Sequence, residues 1–123
     1  MNLNSNVNLF LGLHANLKIF HWQTKGLARH EAFAKIRDKV EDLMDDFVEE
    51  AMGQYGRFTL EDDSKTLNLI NLSEAKPTDM VETICEALRQ LTEQIDPKDT
   101  NLLNLRDEIL GSMQKLKYLL TLE

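Results

Sequence analysis

The chain has 123 residues, which fits a single domain over 1–123 and is long enough to bury a core without disulfides or structural metal. Charged residues at 28% and hydrophobic ones at 42% argue against disorder, and no apolar run approaches a membrane span. A net charge of −7 disfavours nucleic-acid binding, which depends on Lys and Arg neutralising phosphates, so neither a nucleic acid nor a membrane is expected as partner.

The first helix is predicted over Ser5–Lys25, with Asn4 or Ser5 as its cap and Gly26 as a left-handed stop. The opening stretch has no basic segment and no small-residue cleavage site, which argues against a signal peptide. A second helix is predicted over Ala28–Gln54, with Phe33, Ile36, Val40, Leu43, Phe47 and Ala51 spaced three and four apart as its core stripe. Gly53 and Gly56 are expected to loosen its end. From Tyr55 to Lys76 the helical period is lost. "KTLNLINLS" alternates, as a short strand or a single helical turn would, and the whole segment reads as a long crossover.

A third helix is predicted from Thr78, its cap, carrying Val81, Ile84, Leu88, Leu91 and Ile95. Pro97 suits the first turn of a fourth helix over Asp99–Leu122, whose stripe is Leu102, Leu105, Ile109, Met113, Leu116 and Leu120. Cys85 is the only cysteine; it forms no internal disulfide, suits a reducing cytoplasm, and reads as a small buried hydrophobe. Short links between helices one and two and between three and four make antiparallel neighbours. One long crossover makes helices two and three parallel. The fold class is all-α, with the connectivity of a ferritin-like four-helix bundle.

The polar residues that break these stripes collect on the first two helices. His14, Lys18 and His21 stack on one side of the first helix. On the second, His30, Glu41 and Asp45 share nearly one meridian beside the apolar stripe, and Glu49 follows Asp45 by one turn. Two imidazoles and two carboxylates held on helices suit zinc, iron or manganese. No Glu lies three residues before any histidine, so the Glu-x-x-His pair of a ferritin-type site inside one subunit is missing.

"FHWQTKG", then His30, then Asp45 and Glu49 resembles the Dps mini-ferritins, which carry an HW-x-x-KG end to the first helix and a second histidine at the start of the next. In that family an Asp follows fifteen residues on and a Glu four beyond it, and the C-terminal "DTNLLNLRDEILGSMQKLKYLLTLE" is similar to the last helix. The compact length and short loop also resemble small ferritin-like proteins of unknown function encoded by tailed bacteriophages, which would place the protein in a host cell's cytoplasm.

The resemblance implies a ferroxidase that oxidises Fe(II) with peroxide or oxygen and stores the product in a hollow twelve-subunit shell. It implies a metal site between two-fold partners, His21 and His30 from one facing Asp45 and Glu49 from the other, so that a homodimer is the smallest active unit. The departures are Ala34 in place of a carboxylate four residues after the second histidine, a loop three residues shorter, and no N-terminal lysine tail. Glu31 and Asp38 are the nearest carboxylates to Ala34. Phe20 and Trp22 read as core or dimer-interface rings. Lys18 and Arg29 are candidates to pair with Asp45 or Glu49. The competing expectation is a catalytically idle structural or interaction bundle of a phage, with zinc or no metal between its subunits.

Overall fold

In the computed structural model, which describes residues 1–122, the chain is all-helical. It forms α1 (Asn4–Gln23), α2 (Leu27–Tyr55), α3 (Pro77–Gln90) and α4 (Thr100–Leu119), with short 3-10 turns at Asp62–Ser64 and Leu91–Gln94. No helix among the described residues is long and apolar enough to cross a membrane.

Side-chain pairs fix the helix directions. Phe10 meets Phe47 and Phe20 meets Phe33 edge-on, at ring-centroid distances of 5.0 and 5.9 Å, so α1 and α2 are antiparallel. Asn101 donates to Glu50, and Arg29 Nη2 to the Leu120 carbonyl, which sets α4 antiparallel to α2. Arg106 reaches the Leu88 carbonyl and Lys117 pairs with Glu82, setting α3 antiparallel to α4. Hence α2 and α3 run the same way, as the long crossover requires.

The predicted stripes are the core. Phe33, Ile36, Val40, Phe47 and Ala51 of α2 are buried, as are the five stripe residues of the third segment and the six of the fourth. Leu43 is the exception: it is half-buried and Met44 takes its place inside, because a straight helix turns its stripe slowly past a fixed neighbour. Cys85 is buried, and desolvation pushes its thiol pKa up.

Several ends differ from expectation. α1 stops at Gln23 rather than Lys25, and Gly26 is not a left-handed stop but the extended residue that opens α2, with φ −84°. The left-handed glycine is Gly56, φ +88°, which ends α2 after the helix has run straight through Gly53. Asn4 and Ser5 do not cap α1; the Asn2 side chain accepts the Asn4 amide instead. Lys76, not Thr78, precedes α3, with Pro77 as its first residue. Pro97 stays in the turn. Asp99 stands at the start of α4, but its carboxylate is taken by the Tyr55 hydroxyl.

That bond favours the neutral phenol and pushes the Tyr55 pKa up to about 12. The folded pKa lies above the ordinary value, so this contribution to stability is complete below pH ~10 and fades as pH rises toward ~12. Tyrosinate absorbance should therefore show one late-titrating tyrosine that Tyr55→Phe removes.

The crossover is neither strand nor helix at 65–73. It runs alongside α1, tied down by amide side chains. Asn4 accepts the Glu61 amide; Asn8 donates to the Ser64 and Thr66 carbonyls. Asn16 donates to the Asn68 carbonyl while accepting the Ile70 amide, and Gln23 accepts the Leu72 amide. Extended backbone has polar groups that must bond somewhere. Here one face of α1 supplies the partners that a neighbouring strand would.

A histidine clamp as the candidate metal centre

The link from α1 to α2 is only 24–26, so the last turn of one helix faces the first turn of the next. His21 and His30 meet there with rings stacked at 3.8 Å between centroids and 24° between planes. Each ring bonds the other's backbone: His21 Nδ1 lies 2.8 Å from the His30 carbonyl oxygen, and His30 Nδ1 lies 2.8 Å from the His21 carbonyl oxygen.

The arrangement has a local cause. The last carbonyls of a helix lack intrahelical partners. The Phe20 carbonyl takes the Thr24 amide, and the His21 carbonyl takes His30. The second histidine thus closes the C-terminal end of α1. A carbonyl oxygen only accepts, so each Nδ1 carries the proton and donates it. In the neutral ring Nε2 then holds the lone pair. Nδ1–H held by a carbonyl, with Nε2 free, is the form in which histidine ligates metals.

Both histidines are half-buried. Asp45 and Glu49 are exposed on α2, fifteen and nineteen residues past His30, or ~22 and ~28 Å along the helix. The chain therefore brings the two histidines together and keeps the two carboxylates together elsewhere. Among the described residues no three His, Cys, Asp or Glu side chains converge as a metal cage.

The neighbouring residues have their own partners. Lys18 Nζ lies 5.4 Å from the Trp22 ring centroid, a cation–π contact. Arg29 donates to the Leu120 carbonyl, and among the described residues neither cation pairs with Asp45 or Glu49. Phe20 is core, fully buried, but Trp22 is 65% exposed and belongs to no core. Asp38 is bonded by Arg37 at 2.9 Å, and Glu31 lines a surface cleft together with Lys35, Leu119 and Leu122. His14 stands midway along α1 with Nε2 3.9 Å from Glu41, beyond hydrogen-bond reach.

The histidines and carboxylates lie on an all-helical chain with a parallel middle pair of helices. The residue span 21–120, which holds the clamp, Asp45 and Glu49, matches a Family of unknown function (DUF5856), and the chain belongs to that family. It is also 30% identical over 117 residues to the "Uncharacterized 14.6 kDa protein in mobD-ri intergenic region" of Enterobacteria phage T4, covering 95% of this chain and 86% of the phage protein. No solved structure matches.

Proposed function

We propose that the protein is a ferritin-like, Dps-type subunit that binds Fe(II) between two-fold partners and oxidises it for storage. The observation that carries this reading is the clamp: two half-buried imidazoles, each with Nδ1 committed to a carbonyl and Nε2 left as donor to a cation. Helix order supports it too, since a parallel middle pair joined by a long crossover is the ferritin connectivity. Charge supplies the partner. The half of α2 from Glu41 onward carries six carboxylates and no base: Glu41, Asp42, Asp45, Asp46, Glu49 and Glu50. The half before it carries four bases against two acids. Two copies laid antiparallel along α2 bring the acidic half of each against the histidine end of the other. His21 and His30 then face Asp45 and Glu49 of the neighbour, a mixed nitrogen and oxygen set suited to iron. Each Fe(II) gives an electron to peroxide or oxygen, and the product is stored in the shell. A phage origin for this chain follows its relative.

Ala34 and the phage relative favour a second reading, a phage bundle that keeps the clamp for packing and holds zinc or no metal. Native mass spectrometry of chelator-free protein, with metal analysis on the same sample, separates the two. A twelve-subunit assembly that takes up iron supports the first. A monomer that ignores Fe(II) added anaerobically overturns it.

A further inference from the structure

α1 and α3 touch far less than α1 and α2, α2 and α4 or α3 and α4 do, and crossover residues line the gap between them. What remains is a groove of about 300 Å³, within the range of small-molecule sites. Its floor is Leu13, Met80 and Ile84, all buried; Leu9, Leu67 and Ile70 form the walls. The wall on the crossover side is fixed in place, because Asn8 and Asn16 bond its backbone on both sides of Leu67.

Gly12 lines the groove from the middle of α1. Glycine weakens a helix interior relative to alanine, and here no close approach demands it. A Cβ would meet only Leu67 Cδ2, at the ordinary distance of 4.0 Å. The effect of the missing side chain is to leave room beside Leu67. The lining contains no Lys, Arg or His, and its one charged residue is Asp79 on the rim.

We propose that the groove binds a small aliphatic amine, its chain lying over Gly12 between Leu13, Met80 and Ile84 and its ammonium at Asp79. Apolar walls without a base suit a hydrocarbon chain, and a lone carboxylate in an acidic protein selects the cation over the anion. The proposal is independent of the metal reading: no residue is shared between the two sites.

The test is a titration of isotope-labelled protein with octylamine and with octanoate, watching the Gly12 amide and the Met80 methyl by NMR. Octylamine should shift both signals saturably, with octanoate about tenfold weaker. Asp79 is exposed, so D79N should fold normally and lose that preference. G12L should abolish binding with helicity unchanged by circular dichroism. Absent saturable shifts, equal binding of the two probes, or a preference that survives D79N would overturn the proposal. So would movement of both signals with protein concentration alone, since a second copy would then occupy the groove.

Discussion

Iron uptake is expected to disappear when Asp45 and Glu49 are both replaced by Ala, while helical content stays at the wild-type level. Both side chains are exposed on α2 and bond no other group among the described residues, and surface substitutions of that kind usually move stability by less than about 0.5 kcal/mol. The metal loses far more. Changing even a group behind a ligand typically costs 10–100-fold in affinity, and here both proposed anionic ligands go at once. Anaerobic Fe(II) titration followed by oxidation kinetics measures it; uptake at the wild-type level in the double variant would place the site elsewhere. A mixing experiment probes the proposed sharing of the site between subunits directly. His21→Ala/His30→Ala protein retains its carboxylates, and the carboxylate variant retains its histidines. Each is expected to be idle alone. Heterodimers of the two rebuild one complete site, so activity should return on mixing.

Phe33→Ala is expected to cost about 3–5 kcal/mol. The ring is fully buried and meets Phe20 edge-on at 87°. Such a pair contributes about 0.5–1.5 kcal/mol beyond area burial. A domain of this size is stable by ~6–18 kcal/mol, so the loss is a large fraction of the whole. Urea unfolding should show a lower midpoint with an unchanged slope. The position also has a specific consequence. Phe20 precedes His21 and Phe33 lies one turn beyond His30, so the ring pair joins the same two helix turns that carry the clamp. Phe33→Leu keeps much of the volume and should retain more metal affinity than Phe33→Ala. A loss below about 1 kcal/mol for the alanine variant would mean that the ring pair is not structural.

The stripes of α2, α3 and α4 were legible because their spacing reports one face against one neighbour. Leu43 and Met44 exchange roles for the same reason: both border that face, and only the packed partner decides between them. The nearness of His21 and His30 was implied by the resemblance, and the short link is what produces it. Their mutual bonding was not, since it depends on two rotamers and on which carbonyl a helix end leaves free. For Trp22 the sequence left core and dimer interface open, and its 65% exposure removes the core. The amides of α1 went unread except as a cap. Asn8, Asn16 and Gln23 bond a segment more than forty residues away, and such pairing has no local period. Asp45 and Glu49 stood out by their spacing on one face of the second helix, and only the likeness set them opposite the histidines; the chain by itself does not bring the two pairs together.

The amide face of α1 has one more consequence, in the time domain. The backbone amides of Glu61, Ile70 and Leu72 belong to no helix or strand, yet each is held by a side chain anchored on α1. Their hydrogen exchange with solvent therefore waits on the crossover lifting away from that helix. Residues 61–72 should open as one cooperative unit, slower than the exposed turns at either end. A stretch with neither α-helix nor strand thereby becomes a kinetic strap across the gap between α1 and α3.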